Sequence, residues 1–147
     1  MAEKKILGVL LPTTQFLLKL KVPPVREMVD QGSKFVFWFF LTNLLGVPVA
    51  LGTDFNPNAY CLSMPLTMHL ACVNYKLMPN EALVASPIYA AASMKRSKTH
   101  GSIEKGKVAD LVLIKGSRWE HIIYQMGESP IKFVIKKGKN GFENQFI

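Results

Sequence analysis

The stretch VPVALGTDFNPNAY, Val47–Tyr60, constrains this chain more than any other. Val47 to Leu51 is short, aliphatic and partly β-branched, as a buried strand is, and Gly52 ends it. Thr53, Asp54 and Asn56 then enter a loop that carries Pro57. A carboxylate at the carboxyl end of a buried parallel strand is where α/β barrels keep their chemistry. Taken alone, Asp54 and Asn56 favour the plainer reading, an Asx-type turn. The flanking sequence decides between the two.

Upstream, Ile6–Leu11 is an apolar run of strand length that passes into a polar loop at Pro12, Thr13 and Thr14. Gln15–Lys21 can open a helical turn before Val22-Pro23-Pro24 interrupts it. Pro24 suits the first turn of a helix, where its missing N–H costs nothing. Val25, Met28 and Val29 then recur at helical spacing, with Gly32 expected as the cap. Strand, loop and helix make the βα unit of a parallel sheet.

Downstream, Met64–Leu77 predicts a helix that buries Leu66, Leu70, Val73 and Leu77 on one face. Asn80 is placed to cap a second helix, Glu81–Met94, which Pro87 must kink or split. From Thr99 onward, glycines punctuate two β-type runs, Ala109–Ile114 and Lys132–Lys136, which predict a hairpin-like β element. Asn140–Ile147 carries no clear signal. His69 falls among apolar helical neighbours and receives no chemical role.

With 147 residues the chain is about one domain, shorter than the roughly 200–250 residues of a whole (β/α)8 barrel. Its net charge of +8 comes from scattered basic residues without interleaved aromatics, which predicts a solvated surface and no nucleic-acid partner. Cys61 and Cys72 match no metal-ligand or redox spacing and read as thiols of a reducing compartment, so a cytoplasmic location is expected. The apolar run near the N-terminus is too short for a secretory signal. Ser33–Gly46, SKFVFWFFLTNLLG, is apolar almost throughout. Phe35–Leu51 thereby reaches about 17 residues, the lower limit of a membrane span. Thr42, Asn43 and Pro48 weaken that reading.

The segments VLLPTT, PPVREMVDQG and VPVALGTDFNPNAY, then SMPLTMHLACVNYKL, THGSIEKGKVADLVLI and RWEHIIYQMG, resemble in this order the C-terminal part of the imidazolonepropionases of the amidohydrolase superfamily, in their animal form. The resemblance implies an α/β fold. In it, residues 1–98 form the last strands and helices of a (β/α)8 metallo-hydrolase barrel, and residues 99–147 form part of a small β-sandwich domain. It implies hydrolysis of 4-imidazolone-5-propanoate, a small-molecule substrate, to N-formimidoyl-L-glutamate with one zinc or iron ion. In that scheme Asp54 contacts the metal and takes the proton of the attacking water, while Asn56 and Asn58 contact substrate, Asn58 standing where many members have Gly.

The departures from the family define three expectations. The HxH pair and the later His that complete the metal site are missing: His69, His100 and His121 all follow Asp54. One carboxylate cannot hold a metal that takes about three protein ligands, so a truncated, inactive form is expected. Ser33–Gly46 looks like an insertion between the last-but-one helix and the last strand. Roughly two barrel strands leave edges and apolar faces open, which suits a non-catalytic fragment pairing with a full-length subunit. A membrane-associated peptide held through Phe35–Leu51 ranks well behind both.

Overall fold

The computed structural model describes residues 7–33 and 48–143. The proposed insertion beyond Ser33, the greater part of Phe35–Leu51, and Val47 itself lie outside the described residues. Two strands form the core of the first half. β1, Gly8–Leu10, and β2, Val49–Leu51, pair in parallel, with Gly8 opposite Val49 and Leu10 opposite Leu51. Parallel pairing requires a long crossover, and the intervening chain includes α1, Pro12–Leu17, and α2, Val25–Ser33. All three residues of β2 are buried, as a strand covered on both faces must be.

The start of α1 corrects the expected polar loop: Pro12 occupies its first turn and Leu11 its N-cap. Pro has no N–H to lose there. Gly32 is likewise not a cap, because α2 continues to Ser33. Met28 N–H donates to Pro24 O (3.1 Å), which places Pro24 at the mouth of α2 as its chemistry demands.

Helix α3, Met64–Tyr75, is capped by Ser63, whose Oγ accepts from Leu66 N–H (3.2 Å), and ends where Lys76 turns left-handed. Its buried residues are Thr67, Met68, Leu70, Ala71 and Tyr75. Leu66 and Val73 are exposed, which corrects the predicted face. The helix is apolar nearly all round, so spacing alone did not fix which side turns inward.

α4, Pro79–Val84, is capped from Met78 rather than Asn80, because Pro79 takes the first helical position. Glu81 Oε2 accepts from Met78 N–H (2.8 Å) and closes the cap. The expected break at Pro87 takes a definite form, a π-helical turn over Ala85–Tyr89 leading into α5, Ala90–Ser93. Pro87 cannot donate to the carbonyl four residues back, and a wider turn absorbs the lost bond. This turn packs against β2. Leu10, Val25, Leu51, Met68, Tyr75 and Ala85 belong to the core cluster between strands and helices.

Arg26 joins α2 to α4. Its Nη1 and Nη2 reach Glu81 Oε2 and Oε1 at 2.8 and 3.0 Å, a bidentate pair, and its Nε donates to Asp30 Oδ1 at 2.9 Å. Burial raises the Glu81 pKa, but the Arg26 hydrogen bond and the Met78 N–H outweigh it and hold the carboxyl below its ordinary value. The Arg26 pKa is raised by the same partners, Glu81 before Asp30. Arg26→Ala is expected to cost about 1–3 kcal/mol by urea denaturation, the range for hydrogen bonds to charged groups. Because the folded Glu81 pKa is depressed, the pair stabilises the fold above the unfolded carboxylate range. That contribution is lost as pH falls through the folded value. Glu81→Gln should flatten the acid limb of stability against pH; an unchanged limb would refute the linkage.

In the second half β3, Leu111–Ile114, pairs antiparallel with β4, Ile131–Lys136, and β4 with β5, Lys139–Glu143. A short α6, His121–Tyr124, lies between β3 and β4 and packs against α3. The sheet therefore has three strands where two were expected. β5 falls largely in a stretch without apolar alternation, and the turn specifies it instead. Lys137 and Gly138 both have positive φ (51° and 77°), the pattern of a two-residue hairpin turn. Asp110 anchors this hairpin by accepting from Lys136 Nζ and from Lys137 N–H (2.9 Å). The Lys136 ammonium, then that N–H, holds its pKa low.

Candidate functional site

The parallel register brings two chain segments to one place. Leu10 lies opposite Leu51, so residues three beyond each, Thr13 and Asp54, leave the sheet side by side. Gly52 N–H donates to Leu10 O (3.0 Å) and extends the ladder by one bond. Thr13 Oγ1 donates to Thr53 O (2.7 Å), and Thr14 Oγ1 donates to Asp54 Oδ2 (2.8 Å). Asp54 is thus held at the carboxyl end of β2, where the sequence places it. Its carboxylate is exposed, with one oxygen fixed by a neighbouring segment.

The loop beyond Asp54 builds itself from asparagine chemistry. Asp54 has φ +50°, a left-handed conformation that Asp tolerates better than most residues. Asn56 Nδ2 donates to Asp54 O, and Asn56 Oδ1 accepts from Asn58 N–H (2.9 Å) and Ala59 N–H (3.2 Å). An Asn56–Ala59 bridge closes the turn. The Asx-turn reading and the strand-end carboxylate are therefore both present in one motif. Asn56 is half-buried with its amide engaged in the loop, while Asn58 is exposed. The rings of Phe55 and Tyr60 meet edge to face across the turn, with centroids 4.9 Å apart.

Thr13 and Thr14 were not singled out as site residues by the sequence. The available signal was the equal distance of Thr13 and Asp54 past their strands, and it becomes readable only once the strands are known to pair in register.

The histidines stand elsewhere. His69 Nδ1 lies 3.2 Å from Ile123 O and joins α3 to α6, a structural role. His100 pairs with the Thr99 hydroxyl at 2.8 Å. His121 lines an open groove of about 970 Å³ with Lys115, Glu128 and Lys132. No group of three or more His, Cys, Asp or Glu able to hold a metal occurs among the described residues. The donors around Asp54 are hydroxyl and amide groups, so this set does not by itself fit a resident catalytic metal. Cys61 and Cys72 are both free; burial, then the Glu81 charge, pushes the Cys72 thiol up. No helix among the described residues is long and apolar enough to cross a membrane.

The sequence matches known proteins along nearly its whole length. Residues 2–141 match the family model described as "Amidohydrolase family". A protein of Nematostella vectensis named probable imidazolonepropionase is 51% identical over 147 residues, which cover 99% of this chain and 31% of that protein. The Homo sapiens protein of the same name is 50% identical over 141 residues, covering 95% of this chain and 30% of its own length. The chain thus spans about a third of the length of these relatives. Among solved structures, guanine deaminase from E. coli superposes with a TM-score of 0.74 at 17% identity, covering 98% of this chain and 36% of that one. An adenosine deaminase from Xanthomonas campestris, solved with bound zinc, superposes with a TM-score of 0.74 at 23% identity, covering 95% and 32%.

Proposed function

Because the chain belongs to the amidohydrolase family, we propose that it is the C-terminal portion of an imidazolonepropionase-type hydrolase. Residues 1–98 supply the last strands and helices of the barrel, and residues 99–147 supply part of the small β domain. The parent reaction opens the ring amide of 4-imidazolone-5-propanoate to N-formimidoyl-L-glutamate in the breakdown of histidine. The observation that carries this reading is the match at about 50% identity along nearly the whole chain, with the GTDFNPN motif at the strand end.

Asp54 is the catalytic carboxylate and accepts the proton of the attacking water. A carboxylate in hydrogen-bond reach of that water is the requirement, and Thr14 Oγ1 engages Oδ2 of Asp54 while Asn56 Nδ2 engages its backbone carbonyl. Thr14 orients the carboxylate, and Asn56 shapes the loop that presents it. Asn56 and Asn58 form the substrate side of this loop. A zinc or iron ion would take Asp54 as one ligand. Among the described residues no group of His, Cys, Asp or Glu completes that ligand set, and no step here runs through a metal.

Prepared as a separate polypeptide, these 147 residues are therefore expected to be inactive. Purified protein, supplied in turn with zinc and with iron, should neither retain stoichiometric metal nor hydrolyse imidazolonepropionate. Turnover that disappears in Asp54→Ala would refute inactivity while supporting the assigned carboxylate. In a polypeptide with the full ligand set, the same substitution should lower kcat by at least about a hundredfold, the lower end for a positioned proton acceptor.

A further inference from the structure

We propose that Ser97 is a phosphorylation site, selected by a protein kinase with an acidic substrate cleft through the cations of the turn that carries it. The inference is independent of the reaction assigned above.

The turn follows α5, which ends at Ser93. Lys95 takes φ +58° and its N–H donates to Ala92 O (3.0 Å), while Arg96 N–H donates to Ala91 O (2.7 Å). A left-handed residue that closes the last helical carbonyls stops the helix. On the far side, Thr99 N–H and His100 N–H both donate to Arg96 O (2.9 Å each), and Val108 N–H donates to Thr99 O (2.9 Å). Ser97 and Lys98 therefore form the tip of a turn that is fixed at both ends. Residues 93–99 are all exposed. An exposed tip of this kind is where a modifying enzyme reaches a folded chain.

Two hydroxyls lie in the turn, and their surroundings separate them. Thr99 Oγ1 is engaged, 2.8 Å from His100 Nδ1 and 3.2 Å from Arg96 O. The Ser97 hydroxyl has no hydrogen-bond partner among the described residues. Lys95, Arg96 and Lys98 likewise form no ion pair among the described residues. The helix end does not account for all three cations. Its carbonyls attract positive charge, but the effect fades beyond the last turn and does not explain Lys98 at the tip. Unpaired cations on the two residues before a free hydroxyl and the one after it match an acidic kinase cleft by charge.

In the reaction, Ser97 Oγ attacks the γ-phosphorus of ATP. The Oγ–P bond forms, the bond from that phosphorus to the β-phosphate oxygen breaks, and ADP leaves. The hydroxyl proton passes to the catalytic aspartate of the kinase. The new group carries about two negative charges among three cations that have no other partner, so charge-assisted bonds replace solvent around it.

The test incubates the intact chain with ATP, magnesium and, in turn, two kinases with acidic substrate clefts, the catalytic subunit of cAMP-dependent protein kinase and the catalytic domain of protein kinase C. Peptide mapping by mass spectrometry locates the phosphate. One phosphate per chain, on Ser97, is expected with at least one of the two. Ser97→Ala should reduce incorporation at least about tenfold, and Arg96→Gln should lower the kinase's kcat/KM by a similar factor, about tenfold. Lys105→Gln, at an exposed lysine outside the turn, should leave the rate unchanged. Circular dichroism of each variant confirms that the fold persists. Phosphorus NMR of the modified chain should place the second ionisation of the phosphate below its ordinary value of about 6, with a return toward it in Lys98→Gln. The proposal is overturned if neither kinase modifies the folded chain while both modify a control peptide, or if the phosphate maps to another residue. An Arg96→Gln rate equal to that of the parent overturns it as well, as does an equal loss in Lys105→Gln. A second ionisation at its ordinary value would overturn the pairing of the phosphate with the turn.

Discussion

Gly101→Ala is expected to destabilise the fold by about 2–4 kcal/mol, among the largest effects of any single methyl group added to this chain. Two independent costs combine. Gly101 has φ +96°, a conformation that side-chain-bearing residues rarely adopt. A Cβ there would also lie 2.8 Å from Pro87 O and 2.9 Å from Ala91 Cβ. Neither neighbour is the far end of a flexible side chain. Pro87 O belongs to the π-helical turn, where it already accepts from Ala90 N–H, and Ala91 is buried in α5.

Gly106→Ala separates the two costs. Gly106 has nearly the same φ, +92°, but nothing within 4 Å of an added Cβ. It should therefore show the backbone cost alone, about 1–2 kcal/mol. Urea denaturation of both variants measures the difference. Equal losses at the two sites would mean that the π turn yields freely and that the close approach of residue 101 to it is not a packing constraint.

That close approach also shows which features could be read in the sequence. Pro87 announced an interrupted helix, because a missing N–H acts wherever the residue falls. The π turn itself was not legible. It depends on how the flanking helices settle against β2, which is a tertiary contact. The strand over Val49–Leu51 and the Asp54 loop were legible for a similar reason: aliphatic residues stop at Gly52, and Asn56 writes its own turn in short-range hydrogen bonds. Asn80 misled, since an N-cap residue and a Pro compete for the same helix start, and Pro79 one position earlier took it. The buried face of α3 was misassigned because the helix is apolar on several sides, so its neighbours choose the face. The Thr14–Asp54 contact is the clearest case of information absent from local sequence. It spans forty residues and exists only because two short strands pair in one register.

The same register makes Leu51 the residue on which the candidate site depends. Leu51→Ala is expected to cost about 2–5 kcal/mol, the range for a buried Leu truncated where the surroundings cannot close up. Leu51 is 2% exposed and belongs to the core cluster with Leu10, Val25 and Met68. It is also the last residue of β2, one before Gly52, whose N–H is held by Leu10 O. Loss of its side chain removes packing at the point from which the Asp54 loop departs. Val9→Ala on the adjacent strand serves as the comparison. Val9 is 52% exposed, and its truncation should cost less than about 1 kcal/mol. Leu51→Ile, which nearly conserves volume, should cost less than about 1.5 kcal/mol. Urea denaturation ranks the three, and hydrogen exchange at the Gly52 amide reports on the strand end directly. Exchange there should accelerate in Leu51→Ala in step with the global loss if β2 and the loop open together. A loss below about 1 kcal/mol, or an unprotected Gly52 amide in the parent chain, would show that core packing does not hold Asp54 in place. The Thr13 and Thr14 contacts would then carry the tie between its loop and the end of β1.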